Sequence, residues 1–263
     1  MLPEKAVFGR GKTHMTKSGN IRKPKRRIAL WILLGLVLIL AAATAVYAAD
    51  YYRAEPSANA VLSENIPGVT VVSSKDRVDF VPETARAGLV FYPGGKVEFT
   101  AYAPLMASLA KEGVLCVLLK MPLNLAVLDG NAAAKIPKEY PGIGTWILAG
   151  HSLGGVMAAS CAAKHPGEWD ALALLASYST ADVGASGMRV LSMYGSSDGV
   201  LNRKEYEDNR KNLPPDAKEV VIEGGCHAYF GFYGAQKGDG NPTVSREEQQ
   251  AAAVREILLL AGN

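Results

Sequence analysis

The sequence predicts an α/β fold, a mostly parallel central sheet with helices on both faces, preceded by one apolar membrane-spanning helix. Three observations lead there. Short, continuous apolar runs such as Leu89-Val90-Phe91-Tyr92 and Val114 to Leu119 have the character of strands buried on both faces. Segments with helical character separate them, and strands that alternate with helices form parallel sheets covered on both sides. Ahead of this alternation, Ile28 to Ala49 runs 22 residues without a charge, and about 20 apolar residues suffice to cross a bilayer as a helix. At 263 residues the chain has room for one good-sized domain plus an appendage.

The N-terminal part divides into a basic tail over 1–27, a span over 28–49 and a polar spacer over 50–65 with Pro56, Ser57, Ala58 and Asn59. The tail carries nine lysines and arginines against the single acid Glu4, a charge of +8; the chain total of +3 then leaves −5 for residues 28–263. A mildly acidic body with a basic tail argues against a nucleic-acid surface on the folded part. Arg22, Lys23, Lys25, Arg26 and Arg27 lie directly before the span, which places the tail in the cytoplasm and the bulk outside. Trp31 at one end, and Tyr47, Tyr51 and Tyr52 at the other, suit the two interfaces. The competing reading is a cleaved signal peptide, with small residues around Val46-Tyr47-Ala48, and so a secreted protein. The tail is long for a signal peptide and the apolar run exceeds a usual h-region, which favours an uncleaved anchor in the cell membrane.

The folded domain is expected over 66–263. Val69–Val72 and Val78–Val81, divided by Ser73-Ser74-Lys75-Asp76, read as a hairpin. Strand Gly88–Tyr92, helix Tyr102–Lys111 and strand Val114–Leu119 follow, then a weak helix over Gly130–Lys138. A strand from Thr145 to Ala149 runs into a turn and a helix ending near His165-Pro166. Strands Ala171–Leu175 and Val190–Tyr194, helix 203–212, strand Glu219–Ile222 and a last helix over 245–260 complete the domain. Right-handed crossovers bring the strand C-termini to one edge, where such sheets carry their function. Cys116 and Cys161 lie in apolar runs and read as buried thiols. An odd count of three, without paired spacing, argues against a disulfide framework or a cysteine metal site.

The turn at that edge is Gly150-His151-Ser152-Leu153-Gly154, followed by Gly155. A serine on a sharp strand-to-helix bend has its hydroxyl pushed out of the sheet top, and only small flanking residues permit the bend. Such a nucleophile needs a base. His14 is in the tail, His151 points away from the serine side chain, and His165 sits at a helix C-terminus, where it complements the dipole. His227, in the glycine-rich loop after the last strand, is the base by elimination. Asp198, in Tyr194-Gly195-Ser196-Ser197-Asp198-Gly199, is the candidate acid, with a turn-forming aspartate as its plain alternative; Asp170 and Asp182 precede their strands. Backbone N–H groups able to hold an oxyanion are expected at Leu153 and in Pro93-Gly94-Gly95-Lys96, Gly95 first and Lys96 second.

With these residues the chain, over roughly 66–263, resembles the α/β-hydrolase superfamily, and more narrowly a compact bacterial branch related to the dienelactone-hydrolase-like group. The segments that carry the resemblance are YPGGKVEFTAYAPL, KMPLNLAVLD, AGHSLGG, YGSSDGVL and GGCHAYFGFYGAQKGDG. It implies the α/β-hydrolase fold, Ser152 as nucleophile, Asp198 as acid, His227 as base, and backbone stabilisation at Gly95 and Leu153. The dienelactone hydrolases proper carry cysteine at the elbow; serine here implies an esterase-type reaction on a small-molecule ester, with no cofactor. Only about fourteen residues separate Leu175 from Val190, too few for a helical lid. Tyr229, Phe230, Phe232 and Tyr233 are expected either to line an acyl pocket or to pack in the core, and Met121-Pro122-Leu123-Asn124 to help shape the pocket. Cys226 is expected to pack beside the base, and Asp239 to form a turn. An acyltransferase with the same triad, or a catalytically silent tethered binding protein on this fold, are the rival functions.

Overall fold

The structure is a computed structural model describing residues 23–262. Most of the basic tail, including His14, therefore lies outside the described residues. Two compact units divide between Tyr47 and Ala48. The first contains most of helix α1 (Lys23–Ala49), whose stretch Arg26–Ala49 is long and apolar enough to cross a membrane.

The second unit is built on one eight-stranded sheet. Its strands are β1 (Val69–Ser73), β2 (Arg77–Pro82), β3 (Ala87–Tyr92), β4 (Val114–Leu119), β5 (Trp146–His151), β6 (Ala171–Leu175), β7 (Arg189–Gly195) and β8 (Lys218–Ile222), in the order β1-β2-β4-β3-β5-β6-β7-β8. β1 and β2 form the expected antiparallel hairpin, and β2 also runs antiparallel to β4. From β4 to β8 along the sheet every pairing is parallel, so the C-terminal ends of six adjacent strands share one edge.

Alternation along the central strands feeds two cores. Leu89 and Phe91 of β3, with Ile147 and Ala149 of β5, bury against helices α3 (Ala103–Lys111) and α7 (Arg246–Ala261). Val90, Tyr92 and Leu148 turn to the other face, beneath α5 (Leu153–Lys164). Cys116 and Cys161 are fully buried, as their apolar settings predicted.

Two sequence expectations differ from what is observed. The helix expected over 130–138 is instead a chain of 3-10 turns, Ala126–Asp129 and Ala132–Lys135, leading into a single α turn, α4 (Ile136–Glu139). Pro137 fits only a first turn, so it starts this helix and cannot lie in the middle of a longer one. Residues 50–65 also do more than link. Tyr52 forms a parallel bridge with Val97, Ala58 on the short helix α2 (Pro56–Ala60) is fully buried, and Glu55 pairs with Arg246 at 2.7 Å. Alanine and proline at these positions supply too little hydrophobicity for the docking to be visible from composition.

Candidate active site

Ser152 stands between the end of β5 and the start of α5 with φ 53° and ψ −125°. That conformation is strained for a residue with a Cβ, at a cost on the order of 1–3 kcal/mol, and persists only where its surroundings enforce it. They do so here. Ser152 N–H donates to Leu175 O at 2.9 Å, and Ser177 Oγ–H donates to Ser152 O at 2.7 Å. A Cβ on Gly150 would lie 2.5 Å from the Gly154 carbonyl, and one on Gly154 would lie 2.3 Å from Tyr92 O and 2.4 Å from Pro93 O. The bend thus requires glycine on both sides for close approach of backbone to backbone.

His227 follows β8 and begins the 3-10 turn Ala228–Phe230, while Asp198 lies in the loop after β7. The parallel β7–β8 pairing brings these loops together, and His227 Nδ1 lies 2.9 Å from Asp198 Oδ2, both side chains being buried. Asp198 Oδ1 accepts from the N–H groups of Val200 and Leu201 at 2.9 and 2.8 Å. Burial opposes ionisation of this carboxyl, but the His227 hydrogen bond and charge, with the two N–H groups, outweigh it and hold its pKa below the ordinary 3.8. An ionised carboxylate can only accept, so in the neutral imidazole Nδ1 carries the proton and Nε2 keeps its lone pair. Nε2 is buried and has no hydrogen-bond partner among the described residues. Ser152 and His227 line the same cavity, of about 220 Å³.

In the loop after β3, two of the three successive N–H groups are engaged. Gly94 N–H donates to Tyr102 Oη at 3.1 Å and Lys96 N–H to Asn124 O at 2.8 Å. The Gly95 N–H donates to no group among the described residues, and Gly95 lies against Leu153, where an added Cβ would be 2.8 Å from Leu153 Cδ2. Leu153 opens α5, so its N–H has no acceptor within the helix. Of the two candidate donors in this loop, the Lys96 N–H is thus engaged and the Gly95 N–H is free of a partner among the described residues.

A family model described as the alpha/beta hydrolase family matches residues 88–251. The chain belongs to that family. Among solved structures, an esterase of Mycobacterium tuberculosis aligns at 12% identity over 79% of this chain and 97% of its own, with a TM-score of 0.56. Est1E from Butyrivibrio proteoclasticus aligns at 15% identity over 74% of this chain and 100% of its own, with a TM-score of 0.52. Thermogutta terrifontis esterase 2, in a form phosphoramylated by tabun, aligns at 14% identity over 75% of this chain and 96% of its own, again with a TM-score of 0.52. At such identities the likeness establishes the fold alone, and none of these matches selects the dienelactone-hydrolase-like branch. No curated protein matches the sequence.

Two residues of this alpha/beta hydrolase have larger parts than the sequence suggested. Asp239, expected only to form a turn, accepts four backbone N–H groups: His227 at 3.1 Å, Gly199 at 3.2 Å and Gly240 at 2.9 Å on Oδ1, and Ala228 at 2.8 Å on Oδ2. It ties the loop after β7, which carries Asp198, to the loop after β8, which carries His227. His151, on the sheet face shared with Ile147 and Ala149, is buried with its ring centroid 4.5 Å from that of His227. Tyr102 Oη accepts from Gly94 N–H at 3.1 Å and shares a hydrogen bond with His151 Nδ1, 2.8 Å away. Burial, and then the nearby His227, push the His151 pKa well below its usual value and keep the ring neutral.

The cavity beside Ser152 also decides between the two roles expected of the aromatic residues after His227. Val156, Ala176, Tyr178, Val200, Leu201 and Asn202 surround it. None of the four aromatic residues after His227 takes part: Phe230 and Tyr233 are buried in the core with Tyr229 packed against it, and Phe232 lines a separate groove beside α7. Met121–Asn124 border other depressions. The segment joining β6 to β7 contains no helix, and its start, Ala176–Tyr178, borders the cavity directly. Cys226 is buried beside His227, and burial pushes its thiol up to about 11. Among the described residues, no group of three or more His, Cys, Asp or Glu is arranged to hold a metal ion.

Proposed function

We propose that this protein is a membrane-anchored, extracytoplasmic serine hydrolase that cleaves small carboxylic esters through an acyl-enzyme. One observation carries the reading: the buried His227–Asp198 pair leaves Nε2 without a partner in the cavity that Ser152 lines. Family membership and neighbours named as esterases support ester chemistry.

In this reading His227 Nε2 takes the proton of Ser152 Oγ as the oxygen adds to the ester carbonyl. Leu153 and Gly95 N–H groups receive the developing oxyanion. The tetrahedral species collapses as His227 returns the proton to the leaving alkoxide, which departs as alcohol. Water then adds to the acyl-enzyme with His227 again as base, releasing the acid and restoring Ser152. Asp198 holds the imidazole in the required tautomer and stabilises its charged form. A cavity of about 220 Å³ bordered by Tyr178, Leu201 and Asn202 suits a short acyl group.

The anchor reading rests on the length and apolar character of Arg26–Ala49 and on the basic residues before it. Ser152→Ala is expected to abolish hydrolysis of p-nitrophenyl esters while leaving the circular-dichroism spectrum unchanged; retained turnover would sink the assignment. The full chain is expected in the carbonate-washed membrane fraction, and recovery of a mature form beginning near Ala49 would replace anchoring by secretion.

A further inference from the structure

Six large hydrophobic side chains beyond Ala49 are exposed among the described residues, and three of them, Leu123, Val127 and Leu128, fall within one loop of six residues. Their exposures are 48, 51 and 54%. Within it Leu123 and Asn124 both take positive φ, 51° and 55°. Its position is as distinctive as its composition. Asn124 O accepts from Lys96 N–H in the Gly95 loop, and Gly130, just past the loop's end, receives the Tyr92 hydroxyl and packs against Met157 of α5. The exposed residues therefore lie between an anchor on the Gly95 loop and an anchor on Tyr92 and Met157 of α5.

The same loop meets the chain where it leaves the apolar helix. Tyr51 and Leu123 line one shallow depression, with Phe99 and Lys120. Tyr51 is two residues past Ala49, so the chain spans at most about 7 Å between them. Tyr52 N–H donates to Lys96 O, Glu98 N–H donates to Tyr52 O, and Asp50 pairs with Lys96 Nζ at 2.6 Å, which fixes this exit against the Gly95 loop. Lys75, Asp76 and Lys120 border a second depression that Leu123 also lines, and Arg53 lies over the Tyr51 ring. Asp76 is paired with Lys135, and Asp129 closes the loop. Apolar side chains, tyrosine and flanking cations are the composition of a surface that sits in a lipid headgroup region.

We propose that the loop 122–129 inserts its Leu123, Val127 and Leu128 side chains into the membrane interface, so that the site takes amphiphilic esters from the bilayer surface. This rests on the anchored-hydrolase reading above. Membrane insertion removes an exposed apolar patch from water, and the covalent link to the span keeps the domain at the bilayer surface, which three side chains alone would not do.

The test uses the full chain reconstituted in vesicles of phosphatidylcholine and phosphatidylglycerol. Because Cys116, Cys161 and Cys226 are buried, a single L128C variant accepts an environment-sensitive fluorophore at one place. Its emission is expected to shift to the blue and to be quenched by spin-labelled lipid, whereas the same dye at exposed Lys204, in a K204C variant, is not quenched. The triple variant L123S/V127S/L128S is expected to hydrolyse soluble p-nitrophenyl acetate as before and a vesicle-borne ester roughly tenfold more slowly. Vesicle-bound, active protein without quenching at position 128 overturns the loop proposal and leaves the hydrolase reading standing. A label shielded by a second copy of the chain, without lipid quenching, overturns it equally. Protein that stays off the vesicles overturns both the loop and the anchor.

Discussion

Removal of the Asp239 carboxylate should damage the site without touching any group that contacts substrate. Its two oxygens accept from His227, Ala228, Gly199 and Gly240 N–H at 2.8–3.2 Å. Hydrogen bonds to a charged acceptor contribute about 1.5–3 kcal/mol each when buried. The Gly199 bond is exposed and water can replace much of it, and the Gly240 bond is local to its own turn. The His227 and Ala228 bonds therefore dominate, and Asp239→Ala should destabilise the domain by about 3–5 kcal/mol. Asp239→Asn keeps the Oδ1 acceptor and presents an amide donor to Ala228 N–H, a milder loss of about 1–3 kcal/mol. Both shift the backbone of His227 relative to Ser152, and displacement on the order of 1 Å costs roughly 100-fold in rate. Urea titration followed by tryptophan fluorescence gives the stability, and p-nitrophenyl ester kinetics at temperatures where each variant is folded give kcat. The expectation is a lower kcat in both variants, with alanine the less stable. Wild-type kcat in folded Asp239→Ala would refute the idea that this carboxylate positions the base.

Other outcomes follow from the same geometry. Asp198→Asn turns an amide N–H₂ toward His227 Nδ1, or leaves Nδ1 facing a weaker acceptor, and kcat should fall on the order of 10⁴-fold with the fold intact; steady-state kinetics on both proteins decide it. The folded pKa of Asp198 lies below its ordinary 3.8, so its contribution to stability is present above that value and is lost as pH falls through the lower folded pKa. The acid limb of a stability–pH curve should accordingly be shallower in Asp198→Asn than in the wild type. Gly154→Ala puts a Cβ 2.3 Å from Tyr92 O and should cost about 3 kcal/mol, whereas Gly144→Ala, with nothing within 4 Å, should be neutral or slightly stabilising; thermal melts of the pair measure the contrast.

The sheet was legible because its strands are buried on both faces and so appear as unbroken apolar runs. The elbow was legible because a bend that brings Gly150 against the Gly154 backbone leaves its mark as small residues at fixed positions. His227 and Asp198 followed from chain order and the shared sheet edge. What stayed hidden depends on side-chain direction and on long-range hydrogen bonds. Asp239 looks like any aspartate between glycines, and its four N–H partners come from three loops that sequence spacing cannot superpose. The aromatic residues after His227 share a composition suited to either pocket or core, and the turn at Ala228–Phe230 sends Phe230 inward. His151 was read as pointing away from Ser152, and its sheet face agrees, yet its packing against His227 needs the loop after β8 in place.

The most direct test of the central claim is chemical. The full chain, treated with a fluorophosphonate probe, should gain one adduct by intact mass, and peptide mapping should put it on Ser152. Asp198→Asn should label far more slowly, and Ser152→Ala not at all. An adduct on another serine, such as Ser177 beside the elbow, or no adduct on the folded protein, would contradict the account.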